Sequence, residues 1–147
     1  MFWVCKPSFY LGASVAIGLK ERIGHDENAL SLDVIGNVQG KHTVIVDDVI
    51  FSGGTLVNLA QTLVDRGAVS VNAMVTHGAI SQKTLDKLSN SPIDTLYITN
   101  TIETQPVTLP ANVQVVSVAP LFGEAILRIA NNESISSLFE TQGSNLA

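Results

Sequence analysis

Cysteine is nearly absent from this sequence. Cys5 is the only one in 147 residues, so neither an intrachain disulfide nor a CxxC metal or redox pair can form. A lone thiol fits a reducing compartment, and the cytoplasm is the expected location. Basic residues are also few, with 8 Lys plus Arg against 13 Asp plus Glu and a net charge of -5. No cluster of them could neutralise several phosphates at once, which argues against a nucleic-acid surface. Charged residues make up 14% and aromatics 5%, while hydrophobic residues reach 46%. Low charge with high hydrophobicity excludes disorder, and the core has to be aliphatic. A long apolar run is missing too. The N-terminal MFWVCKPSFYLGASVAIGL superficially resembles a signal sequence, yet it has no basic leading region and Lys6-Pro7 interrupts it. The unbroken piece from Ser8 to Leu19 falls short of the roughly 20 residues that a spanning helix needs, so no membrane association is expected.

What is present is aliphatic and alternating. The length suits one domain with a real core, and a mean hydropathy of +0.31 suits strands buried on both faces of a parallel sheet. Leu11–Leu19 is strand-like. Residues 20–31, KERIGHDENALS, are the most charged stretch and lack apolar periodicity, so a mobile loop is expected there. Apolar character returns from Leu32 to Val38, before a turn at Gln39-Gly40. Thr43–Val46 is a β-branched strand, and Leu56, Leu59, Ala60 and Leu63 mark a helix, with Ser52 as its cap and Gly67 as its stop. Strands follow at Val69–Val75, Asp94–Thr99 and Val113–Val118. A short helix is expected from Ser81 to Leu88, and an amphipathic one is marked by Phe122, Ala125, Ile126 and Ile129. Ser134–Phe139 could dock as a helical turn. The alternation specifies an α/β fold with a mostly parallel sheet flanked by helices. Residues 1–10 form an atypical start, 11–139 a single domain and 140–147 a frayed tail.

The segment that carries chemistry is TVIVDDVIFSGGTL, residues 43–56. A buried strand delivers Asp47 and Asp48 to its carboxyl end, where open α/β sheets bind ligands. Ser52, Gly53, Gly54 and Thr55 then lead into a helix, and their backbone N–H groups together with the helix dipole make a cradle for phosphate. A ligand that satisfies both ends must carry a phosphate and vicinal hydroxyls, as a sugar phosphate does. The P-loop pattern GxxxxGK[ST] and the dinucleotide pattern GxGxxG are both absent.

These residues resemble the phosphoribosyl-diphosphate motif of phosphoribosyltransferases and their relatives, and most closely the C-terminal half of the ribose-phosphate pyrophosphokinase family. Further matches lie in order along the chain: AIGLKER (16–22), DVIGNVQGK (33–41), GAVSVNAMVTHGAIS (67–81), SPIDTLYITNTI (91–102) and ESISSLF (133–139). The resemblance implies a single phosphoribosyltransferase-type domain. It also implies that Asp47 and Asp48 hold the ribose hydroxyls, that Ser52, Gly53, Gly54 and Thr55 hold the 5-phosphate of ribose 5-phosphate, and that Lys20 and Arg22, on a mobile loop, contact the phosphates of ATP. The implied reaction moves a diphosphoryl group from Mg-ATP to the 1-hydroxyl of ribose 5-phosphate, releasing AMP. The implied cofactor is Mg2+ with ATP, no metal site is assigned within this chain, and a homo-oligomer is implied.

Two departures accompany the match. Phe51 stands where the family commonly has an acid, and the family's additional N-terminal domain is not matched here. Two other functions remain open: a phosphoribosyltransferase of nucleotide salvage, and a non-catalytic sugar-phosphate-binding or regulatory subunit. Ordinary readings also stand. Asp at a strand end is often a turn residue, Lys20 and Arg22 would by themselves be solvated charges, and His77 is read as a structural hydrogen-bonding residue. Asn100 and Thr101 sit at another strand end that could line the ligand crevice.

Overall fold

The computed structural model describes residues 12–22, 30–103 and 108–140. An antiparallel ribbon comes first, β1 (Ile17–Arg22) paired with β2 (Leu30–Ile35) in a register that sets Lys20 opposite Leu32 and Arg22 opposite Leu30. The expected loop over 20–31 is therefore corrected at both ends. Residues 20–22 and 30–31 are paired strand, and 23–29 lie outside the described residues. The apolar pattern missed this because a ribbon can be held by backbone pairing even where its side chains show no buried face. The atypical start, Leu11 and all but the first residue of the frayed tail fall outside the described residues, and the expected Leu11–Leu19 strand is corrected to begin only at Ile17, residues 12–16 being turn and coil.

The main sheet is parallel, in the order β3-β4-β5-β6. β3 (His42–Ile50) leads to α1 (Gly54–Asp65), β4 (Ser70–Gly78) to α2 (Gln82–Ser89), and β5 (Thr95–Thr99) to β6 (Val113–Val116). The sequence expectations are met closely here. α1 buries Leu56, Leu59, Ala60 and Leu63, the four residues at helical spacing, and Ser81 caps α2 by accepting from the Thr84 N–H. α1 ends as expected at Gly67, whose φ of +84 lets its N–H reach the Val64 carbonyl while Ala68 N–H reaches Leu63.

Register explains the core. Ile45, Ala73, Leu96 and Val113 are neighbours across the four strands, and all four are buried. α1 and α2 touch each other and supply the facing layer, with Leu85 and Leu88 from α2. The opposite sheet face leaves Val44, Met74 and Val116 exposed. Arg66, just past α1, donates to the Asp33 carboxylate and the Val34 carbonyl, which ties the ribbon to the main layer.

α3 (Ala119–Ala130) and the turn of helix α4 (Ser137–Glu140) complete the described chain. α3 forms as its periodicity predicts, yet none of its residues is buried, and Phe122, Ile126 and Ile129 stay exposed. Leu96 is 1% exposed at the centre of the core. Leu96→Ala is expected to cost about 2–5 kcal/mol of unfolding free energy, measured by urea denaturation.

Candidate functional site

Parallel pairing sends every strand of the main sheet to the same edge at its carboxyl end. β3 runs longer than its β-branched core implied, passing through Asp47 and Asp48 to Ile50. The two acids thus lie within the strand rather than at its last residue. Asp47 is partly buried and accepts the Asp48 N–H through Oδ1 at 2.9 Å, while Asp48 is exposed. Burial pushes the Asp47 carboxyl above its ordinary value of 3.8. The neighbouring Asp48 adds to this by repulsion and a side-chain hydrogen bond, and its N–H works the other way.

The turn after β3 is held from one side. Thr84 donates its hydroxyl to the Phe51 carbonyl at 2.7 Å, and the Lys87 ammonium donates to the Ser52 carbonyl at 3.2 Å. Gly53 then adopts φ +70, a left-handed conformation, and a Cβ there would lie 3.2 Å from Thr84 Cγ2. The first intrahelical bond of α1 runs from the Val57 N–H to the Gly53 carbonyl at 3.0 Å. Gly54, Thr55 and Leu56 precede it, and their N–H groups have no intrahelical acceptor, as at any helix start. Ser52 does not cap α1, contrary to expectation. Gly53 occupies the cap position and no side chain bonds there. The uncapped start leaves these donors available to an anion.

Neighbouring strand ends share the edge. His77 Nδ1 pairs with the Thr101 hydroxyl at 2.8 Å, and Thr99 donates to the Thr76 carbonyl at 2.6 Å. Asn100 accepts the Val118 N–H at 2.9 Å. His77 is thus a structural hydrogen-bonding residue, as expected, and Asn100 and Thr101 stitch β4, β5 and the start of α3 together. Asp47, Asp48, Ser52, Gly53, Gly54 and Thr55 are gathered on one strand, turn and helix. Lys20 and Arg22 belong instead to the separate ribbon, on a strand rather than a loop. The motif gave no sign of Thr84 and Lys87.

A family model described as the phosphoribosyl synthetase-associated domain matches residues 14–140. The chain belongs to this family. The ribose-phosphate pyrophosphokinase of Aquifex aeolicus is 43% identical over 129 residues, which cover 88% of this chain and 41% of that protein. The enzyme of the same name from Mesorhizobium japonicum is 44% identical over 122 residues, covering 82% and 38%. The crystal structure of phosphoribosylpyrophosphate synthetase from Mycobacterium smegmatis superposes with a TM-score of 0.66 at 30% identity, over 69% of this chain and 34% of that one. The chain therefore spans about two fifths of the length of the curated relatives it matches.

Two outcomes are expected of the site in this family member. Thr84→Val keeps the shape of the side chain but leaves the Phe51 carbonyl without its donor, costing about 1–2 kcal/mol in urea denaturation. Asp47→Asn removes a group whose folded pKa lies above its unfolded value. Ionising Asp47 therefore costs stability as pH rises from 3.8 through the raised value, and the cost persists at neutral pH. The Asn variant should gain stability over the parent at neutral pH and lose that advantage below pH 3.8, as read by denaturation at both conditions.

Proposed function

We propose that this chain is the ribose 5-phosphate-binding portion of a ribose-phosphate diphosphokinase, which transfers the diphosphoryl group of Mg-ATP to the 1-hydroxyl of ribose 5-phosphate and releases AMP. The observation that carries this reading is the turn from Phe51 to Thr55. Its carbonyls at Phe51 and Ser52 are held by α2, and the start of α1 beyond it is uncapped, directly after two carboxylates at the sheet's carboxyl edge. In this reading the 5-phosphate accepts from the backbone of Ser52, Gly53, Gly54 and Thr55, while the ribose hydroxyls donate to Asp47 and Asp48. The carboxylates repel a phosphate, so the phosphate and the hydroxyls take opposite ends of the site, and a ligand bearing only one of them would use half of it. The ribose-phosphate pyrophosphokinases it resembles support the assignment.

Lys20 and Arg22 are assigned to the ATP phosphates, where two cations would stabilise the charge that develops on the transferring oxygens. No group of three or more His, Cys, Asp or Glu side chains gathers among the described residues. In this reading the magnesium ion arrives with the nucleotide, which suits its preference for substrate phosphates and retained water. Among the described residues no helix is long and apolar enough to cross a membrane. A cytoplasmic homo-oligomer belongs to the same proposal by family resemblance.

One observation favours a second reading, a non-catalytic sugar-phosphate-binding subunit. Phe51, where the family commonly has an acid, is 67% exposed beside the turn and can accept no hydroxyl hydrogen. Calorimetry with ribose 5-phosphate and an assay for AMP formation separate the two: both signals support the kinase, and binding alone supports the subunit. Asp48→Ala should weaken ribose 5-phosphate binding by roughly 100-fold, the loss of charged hydrogen bonds worth about 1.5 kcal/mol or more each. Unchanged affinity would remove the site assignment. Lys20→Ala should retain sugar-phosphate binding and lower AMP formation.

A further inference from the structure

The two peptide groups that flank Ser52 are bonded on one side only. The Phe51 carbonyl accepts from the Thr84 hydroxyl at 2.7 Å, and the Ser52 carbonyl accepts from the Lys87 ammonium at 3.2 Å. No peptide bond among the described residues is cis. In a trans peptide the N–H points away from the carbonyl it is joined to. The N–H groups of Ser52 and Gly53 therefore both face away from α2. Among the described residues neither donates to an acceptor, although Gly53 is buried. A buried N–H left in this state is rare and normally meets water or a ligand.

Thr84 and Lys87 lie three residues apart on one face of α2, and they hold consecutive carbonyls by different means. Thr84 is neutral and 1% exposed, and its hydroxyl also lies 3.0 Å from that of Ser81 at the start of the helix. Lys87 is exposed and brings a full charge. A cation in the last turn of a helix commonly complements the helix dipole, and Lys87 occupies that turn. That role needs no particular acceptor, whereas Lys87 reaches a carbonyl 35 residues earlier in the chain. The ion pairs among the described residues are Arg66 with Asp33 and Arg128 with Glu124, so no carboxylate there neutralises Lys87. Its charge is applied to the peptide that ends in the Gly53 N–H. Linked hydrogen bonds polarise one another, so a cation on the carbonyl makes that N–H a better donor.

We propose that Lys87 is a positioning residue for the phosphate of a sugar phosphate, acting through the Ser52–Gly53 peptide without touching the ligand. Thr84 fixes the preceding peptide in the same orientation but adds no charge. The inference rests on the reading of this turn as the 5-phosphate site. It adds to that reading a source of affinity on α2, outside the consecutive strand, turn and helix of the motif. From ammonium to phosphate oxygen the path is one hydrogen bond, one peptide and a second hydrogen bond, roughly 8 Å in all. At that separation even a water-like dielectric gives about a twofold gain in affinity per negative charge, and about fivefold for a dianion.

The test is calorimetry of the full chain with ribose 5-phosphate at about pH 8, where a phosphate monoester is a dianion. At low salt Lys87→Met should bind about fivefold or more weakly than the parent. Lys87→Arg keeps the charge and should stay within about twofold of the parent, by the same Coulomb argument. The deficit of Lys87→Met should largely vanish in roughly 1 M salt, where the screening length is about 3 Å. Thr84→Val loosens the neighbouring peptide without removing a charge, so its weaker binding should be the same at both salt concentrations. Each variant is first shown to unfold cooperatively in urea, and Lys87→Gln replaces Lys87→Met should the latter fail to fold. Parental affinity in Lys87→Met overturns the proposal and leaves the 5-phosphate reading standing. A loss that is independent of salt or is not rescued by arginine also overturns it, because Lys87 would then only shape the turn. Absence of binding by the parent removes the 5-phosphate reading and this inference together.

Discussion

Parallel strand pairing is the constraint from which the rest of this molecule follows. Each crossover returns the chain to the same starting edge, so Asp47, Thr76, Thr99 and the residues after Val116 all arrive together at the opposite one. Long crossovers are obligatory for the same reason, since antiparallel hairpins could close with two residues and parallel strands cannot, and α1 and α2 supply two of the three. Burial of Val71, Ala73, Leu96 and Ile98 then makes the sheet rigid enough to present polar groups at that edge.

The turn after β3 is given its shape by hydrogen bonds made to its back. Thr84 and Lys87 occupy the carbonyls of Phe51 and Ser52, and a peptide whose oxygen is held has little freedom to rotate. Gly53 completes the turn in a conformation that a side chain would resist, partly through the clash with Thr84. The pair of acids alongside works against itself electrostatically. Asp47 is partly desolvated and sits next to Asp48, so its ionised form is less favoured than that of a free carboxylate.

The apolar surfaces left open follow from the same architecture. A parallel sheet buries two faces, and here α1 and α2 cover one, while Val44, Met74 and Val116 lie on the other. α3 adds Phe122, Ile126 and Ile129, which meet no layer of the described chain. The high mean hydropathy thus records more apolar surface than the described fold encloses, consistent with a domain that spans about two fifths of its relatives.

Local pattern was enough to determine the elements whose forces are local. The β-branched run Thr43–Val46, the helical spacing of Leu56, Leu59, Ala60 and Leu63, the helix start at Ser81 and the stop at Gly67 all act within a turn or two of chain, and each is found where the sequence placed it. The tandem acids ahead of Gly53-Gly54 were legible for the same reason, because strand, turn and helix are consecutive. Pairing of Lys20 with Leu32 and of Arg22 with Leu30 was not legible, since a ribbon is held by backbone bonds that side-chain periodicity does not record. The cap of α1 was misplaced at Ser52 because the turn before it is held by bonds from Thr84 to Phe51 and from Lys87 to Ser52, which span 33 and 35 residues. Nor could periodicity say whether α3 would be covered, because burial depends on a second surface as well as an apolar stripe. Sequence alone determined which residues turn, extend and coil; tertiary structure decided which backbone groups are held, which are free and which apolar faces find a partner, because those outcomes rest on contacts between distant parts of the chain.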